Sequence, residues 1–237
     1  MDEELKLEVG DWVTVKDGKV VKITDHDMPD VPYESIERHA TKSEILMNGG
    51  IPDDLELRMY FFVPYNIAPI QQGIQAGHSL GRYALKYGRY DPVHVVWDFL
   101  EKWETFIILN GGTTNSNKDF MMISVGSLNQ IADSLVKNEI EMASMVEPDL
   151  NNALSAVAFI CDERVFNKEL YPEFWDFMAV QTDSEGNPEG VRGAAKSAPM
   201  EDWPRLYGQQ YINWKEDIIG GDRNLFLREL VRNKKLA

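Results

Sequence analysis

The run Leu57-Arg58-Met59-Tyr60-Phe61-Phe62-Val63 constrains this chain more than any other stretch. It has the length of a strand, and it is apolar at both odd and even positions, the pattern of a strand covered on both faces. Pro69 then stands where a helix can open, because the first turn does not need the N–H that proline lacks. Helical spacing of apolar residues continues from there to about Tyr87. A doubly buried strand feeding a helix selects α/β layering.

The following pattern extends that reading. Asp91 before Pro92 predicts a second helix through Val95, Val96, Phe99 and Leu100 to about Trp103. Thr105 to Leu109 and Met121 to Val125 are expected strands, joined by the polar loop Gly111 to Asp119. Ser127 and Gln130 have capping-box spacing before a helix through Leu128, Ile131 and Leu135. Met142 to Val146 and Ser155 to Cys161 complete the expected strands, separated by the turn residues Pro148 to Asn152. The fold class is therefore α/β, with a mixed four- to five-stranded sheet flanked by helices.

Two flanking regions differ from this core of residues 57–165. Residues 1–56 carry 15 acidic and 6 basic side chains, much of the chain's net charge of −15. Within them, Asp11 to Thr24 alternates β-branched residues about Asp17-Gly18, which predicts an N-terminal β-hairpin. Asp25 to Asp54 reads as a loop with a short helix. Residues 166–237 form an aromatic and helical C-terminal extension: a helix near Leu170 to Met178, a Gly/Ser/Ala/Pro-rich stretch from Asp183 to Pro199, and an amphipathic helix from Asp222 to Lys235.

Composition narrows the functional classes. The negative field repels polyanions, so nucleic-acid binding needs a local basic face that prevails within a Debye length of about 8 Å. No apolar run approaches the ~20 residues of a membrane span, so no membrane partner is expected. Cys161, the single cysteine, forms no internal disulfide and reads as a buried structural thiol. With a start that does not resemble a signal peptide, the expected location is cytoplasmic. The four histidines have no metal-ligand spacing, and no cofactor is expected.

The helix after Pro69 holds the chemistry. Gly73, Gly77 and Gly81 each cost about 1 kcal/mol of helix propensity. Close approach of the helix to the sheet is the expected compensation. Gln71, Gln75, His78, Arg82, Lys86 and Arg89 recur three and four residues apart, so they share one side of a helix. Amides, an imidazole and cations in a row suit a phosphate or sugar; a solvated face is the alternative for Arg82, Lys86 and Arg89.

The strand and helix of Leu57 to Leu85, bearing Gln75-Ala76-Gly77-His78, resemble the opening of type II peptidyl-tRNA hydrolases. Glu147-Pro148-Asp149 and Ser155-Ala156-Val157-Ala158 are similar to that family's acidic loop and following strand, and Trp97 on the intervening helix also corresponds. The resemblance covers about Leu57 to Arg164. It implies a mixed four-stranded sheet flanked by helices, often dimeric, and hydrolysis of the ester joining a peptide to tRNA. It further implies catalytic roles for His78 and Gln75, with Asp149 or Glu147 in the place of the family's aspartate and the Ser155 hydroxyl in that of its threonine; beside the resemblance, the helix row makes Gln71, Arg82 and Lys86 candidate ligand contacts, with Asn66 and Glu147. The family's functional lysine is replaced by Gln71, and its Arg-x-Asp by Pro64-Tyr65-Asn66. The expected partners are accordingly a tRNA-linked substrate or another protein, with a homodimer as the assembly. A noncatalytic protein- or nucleotide-binding module is the alternative function.

Overall fold

The computed structural model describes residues 11–16, 20–23, 36–40, 54–115, 125–180 and 199–237. These fall into two compact units, Met1–Asp54 with Pro172–Leu206 and Leu55–Tyr171 with Tyr207–Ala237.

In the first unit, β-branched Val13, Thr14 and Val15 lie in β1 (Trp12–Val15). This strand pairs antiparallel with β2 (Val20–Lys22), Val13 opposite Val21, so the expected hairpin is present. Its Asp17-Gly18 turn lies outside the described residues. The segment read as a loop with a short helix supplies instead a third strand, β3 (Ile36–His39), antiparallel to the other side of β1. Ile-Glu-Arg-His is too short for periodicity to separate helix from strand, and the pairing partner decides.

The second unit is built on β4 (Leu57–Pro64), whose alternate side chains face opposite layers. Met59 and Phe61 pack with Ala76, Tyr83, Val96 and Phe99 on one face. Tyr60 and Phe62 pack with Leu128, Ile131, Leu135 and Phe159 on the other. Here the doubly apolar run has its cause: helices cover both faces.

From β4 the chain enters α1 (Pro69–Tyr83), which continues through a wider π-type turn over Ala84–Gly88. The next helix, α2 (Val95–Asp98), is capped by His94, three residues beyond the expected Asp91. Asp91 Oδ1 accepts the Val93 N–H, making a local turn, and His94 Nδ1 accepts the Val96 N–H as the cap. A second π-type turn, Phe99–Trp103, leads to β5 (Thr105–Gly112). Of the expected strand Met121 to Val125, residues 121–124 lie outside the described set.

The third helix, α3 (Ser127–Lys137), has no capping box. The Ser127 hydroxyl donates to Gly111 O at 2.9 Å and accepts the Thr113 N–H at 2.9 Å, which fastens the helix to the end of β5. Gly112, at φ +82°, leaves the space that the Ser127 hydroxyl occupies. Strands β6 (Ala143–Glu147) and β7 (Ala153–Asp162) complete the unit's sheet in the order β5-β4-β7-β6. β4 and β5 are parallel, and the β4–β7 and β6–β7 pairs are antiparallel. The sheet is thus mixed and four-stranded among the described residues, with helices on both faces.

Short helix α4 (Glu163–Phe166) follows β7. The first unit then contributes α5 (Phe174–Val180), where Phe174 lies against Trp175 and Trp203 at ring separations of 5.0 and 5.2 Å. Residues 181–198, most of the Gly/Ser-rich stretch, lie outside the described set. Next come α6 (Trp203–Tyr207), α7 (Gln209–Asn213) with a π-type turn over Trp214–Ile219, and α8 (Asp222–Val231). Leu227 of α8 joins the face packed by α3. Beyond it, Asn110 N–H donates to Lys235 O, and Ala237 N–H to Ile108 O, so the last residues run along the outer side of β5.

Candidate active-site cleft

Helix α1 packs on β7 and β6 through Gln72, Gln75, Ala76, Ser79 and Tyr83. Three of these five are polar, an expensive choice for a helix's inner face unless each polar group finds a partner. Ser79 Oγ donates to Ala76 O, and Gln72 Nε2 approaches Pro64 O at 3.4 Å. The third, Gln75, is 5% exposed and is held from two sides. Its Nε2 donates to Glu147 Oε2 at 2.9 Å, and its Oε1 accepts from Ser155 Oγ at 2.8 Å.

This arrangement fixes which end of the amide is which. An ionised carboxylate only accepts, so the nitrogen must face Glu147 and the oxygen Ser155. One Nε2 hydrogen is used by Glu147, and the second has no acceptor among the described residues. Ser155 is buried at the start of the long central run of β7 and also lies 3.1 Å from Met145 O, so its one hydrogen has two acceptors in reach.

Above Gln75 opens a cleft of about 500 Å³ lined by Ile67, Ala68, Gln71, Ile74, Gln75, His78, Glu147, Asp149 and Leu150. One wall is the start of α1 and the loop before it. The other is the β6–β7 turn, where Pro148–Leu150 form a single tight helical turn. Asn151 and Asn152 follow with φ of 55° and 57°. Two successive left-handed residues are unusual outside glycine, and asparagine tolerates this region best. They turn the chain back sharply into β7 and leave Asp149 and Leu150 at the cleft.

Of the residues expected from sequence, Gln71, Gln75, His78, Glu147 and Asp149 share this cleft. Ser155 lies beneath it, touching Gln75. Asn66 is exposed in the turn after β4 and does not line it. Arg82 and Lys86 also point elsewhere: Arg82 approaches Ser144 O at 3.4 Å, and Lys86 donates to Met142 O at 3.0 Å. Both cations therefore reach main-chain carbonyls in and just before β6, at a border of the sheet that has no neighbouring strand among the described residues.

The glycine stripe is likewise not the packing device expected. Gly73, Gly77 and Gly81 are exposed, and a Cβ added at each would meet nothing within 4 Å. The close approach to the sheet comes from Ala76 and Ser79 instead. The sequence reading missed Gln72 and the aliphatic lining of the cleft, Ile67, Ile74 and Leu150. Ile74 carried a signal, since it lies off the buried face of the helix, and it is 40% exposed.

Chemically the cleft combines a held amide donor, an exposed imidazole, two carboxylates and an aliphatic wall, with no lysine or arginine among its lining residues. Compared with known proteins, the chain matches no family model and no curated protein.

Proposed function

We propose that the protein hydrolyses an ester in this cleft, in the manner of a peptidyl-tRNA hydrolase-like enzyme acting on peptidyl-tRNA or a related acyl ester. The observation that carries this reading is the Gln75 amide, oriented by Glu147 and Ser155, with a spare hydrogen, in the same cleft as His78. The spare N–H of Gln75 holds the ester carbonyl oxygen and stabilises it as it becomes an oxyanion. Neutral His78 takes a proton from water as the water oxygen bonds to the carbonyl carbon. The imidazolium then returns that proton to the departing alkoxide as the ester C–O bond breaks, leaving a carboxylic acid and an alcohol. Asp149 favours the transient imidazolium by its charge, and Ser155 is a positioning residue acting through Gln75.

The second reading, a noncatalytic binding module, is favoured by the two carboxylates and the lack of a cation in the lining, since phosphates of a tRNA would find no partner inside the cleft. A peptidyl-tRNA hydrolysis assay separates the two. His78→Ala should lower turnover by about 10²- to 10⁴-fold, and Gln75→Ala by about 10²- to 10³-fold. His78 is exposed, so its variant should keep wild-type stability within about 0.5 kcal/mol. Wild-type protein that binds acyl-tRNA or small acyl esters without ever cleaving them is a binding module.

A further inference from the structure

We infer that the cationic border of α1 and the aromatic hollow at its far end form a track for single-stranded RNA. Only its direction rests on the hydrolase reading: a strand whose terminal ribose is esterified in the cleft leaves along this border.

From Leu57 to Tyr90 the sequence holds no Asp or Glu, in a chain of 39 acidic and 24 basic residues. Within that stretch Arg82, Lys86 and Arg89 follow His78 of the cleft at steps of four, four and three residues, all of them exposed. Successive cations are about 4.5 to 6 Å apart along the helix axis, close enough to meet successive phosphates of one strand. Other exposed cations, Lys102, Arg205 and Arg232, have a carboxylate three or four residues away. Arg82, Lys86 and Arg89 have none within ion-pair distance among the described residues. Arg82 spends one contact on Ser144 O and Lys86 one on Met142 O, which leaves further donors on both. The acids at the two ends of that strand segment have other partners, Glu141 the His94 ring and Glu147 the Gln75 amide.

The row ends in a second hollow, of about 420 Å³, lined by Gly88, Arg89, Tyr90, Pro92, Trp97 and Glu101. Tyr90 is 83% exposed, and the Arg89 guanidinium lies 5.1 Å from the centre of its ring. Trp97 is fixed from behind: its indole N–H donates toward Gly88 O and Asp91 O, and a Cβ on residue 88 would stand 2.8 Å from its ring. A fixed ring, an open ring and a guanidinium in one hollow make a stacking platform for a base, and Glu101 supplies an acceptor for an exocyclic amine. Cations in a row beside aromatic platforms suit a single strand, because a duplex keeps the faces of its bases covered. An acidic peptide would use the cations and leave the hollow empty.

The test is fluorescence anisotropy of a short labelled single-stranded RNA, carrying no ester, titrated with full-length protein over a range of salt. Three phosphate contacts predict a log–log salt slope near −2, at about 0.7 per contact. The triple variant Arg82→Gln, Lys86→Gln, Arg89→Gln should bind about tenfold or more weaker at low salt, with the slope flattened toward zero. Tyr90→Ala should bind about fivefold or more weaker with the slope kept, and Tyr90 is too exposed for its loss to unfold the chain. No RNA binding at low salt, or Tyr90→Ala binding as the wild type does, overturns the inference. So does duplex RNA bound as tightly as the single strand, or polyglutamate bound as tightly as either, which marks an acidic protein as the occupant. Binding of the single strand without cleavage of peptidyl-tRNA supports the track and ends the hydrolase reading, whereas cleavage without this binding ends the track alone.

Discussion

Replacing Gln75 by glutamate changes one group, the amide nitrogen, for an oxygen of nearly the same size. In the wild type that nitrogen lies 2.9 Å from Glu147 Oε2 and donates to it. In Gln75→Glu two carboxylates meet at that distance, one of them on a side chain that is 5% exposed. Coulomb's law with an effective dielectric constant of about 20 gives about 6 kcal/mol of repulsion for two unit charges so close. Glu147 is half-buried, and solvent there reduces the figure to about 3 kcal/mol. The pair escapes by keeping one proton, which raises one apparent carboxyl pKa by about 2 from the ~4.3 of an unfolded glutamate. The sign follows from linkage: an acid whose folded pKa is raised is compatible with folding below the unfolded pKa, and it destabilises increasingly as pH climbs to the folded pKa. Urea unfolding of both proteins should therefore agree within about 1 kcal/mol near pH 4.3 and differ by about 3 kcal/mol above pH ~6.5. A wild-type-minus-variant difference that stays flat across this window would falsify the Gln75–Glu147 contact on which the cleft depends.

Other expected outcomes follow from groups outside the cleft's polar centre. Gly73→Ala, Gly77→Ala and Gly81→Ala add a methyl group into open space, so each should stabilise by about 1 kcal/mol. Together they should raise the thermal midpoint by about 6 to 12 °C in calorimetry, and no rise would mean that something covers the stripe. The Tyr83 hydroxyl is buried without a hydrogen-bond partner among the described residues, so Tyr83→Phe should cost nothing or stabilise by about 1 kcal/mol in urea; a loss beyond that reveals a missed acceptor. Burial above all, seconded by the nearby Cys161, pushes Tyr60 up to about 12 from the usual 10, and burial also raises Tyr83 and Tyr171. Their stabilising contribution is complete below about pH 10 and lost as pH rises past it toward the folded values. Tyrosinate absorbance at 295 nm should then rise in step with the loss of circular dichroism, and complete ionisation in a still-folded chain would contradict this.

The sequence made the sheet legible where a residue's character had one reading. Leu57 to Val63 alternates two apolar sets, and both have helices to meet. Pro69 marked the true start of α1. Asp91 misled because its carboxylate has a closer use, the Val93 N–H, and Ser127 misled because its hydroxyl serves β5. Gln75 and His78 could be placed on one side of a helix by spacing alone. That Glu147 and Ser155 seize both ends of the Gln75 amide could not, since those contacts span 72 and 80 residues. The glycine stripe announced a cost without saying which side of the helix it lay on, and the cations at 82 and 86 gave no hint of the carbonyls they reach.

Cys161 is the chain's single cysteine, and its thiol is buried near the end of β7, opposite Arg58 of β4, with burial pushing its ionisation well above the ordinary range. A disulfide dye in the surrounding buffer finds no sulfur to colour until the core packed around it opens. The molecule thus carries its own stopwatch: the slow appearance of colour under native conditions counts the rare moments when that core opens, with no label added and no residue exchanged.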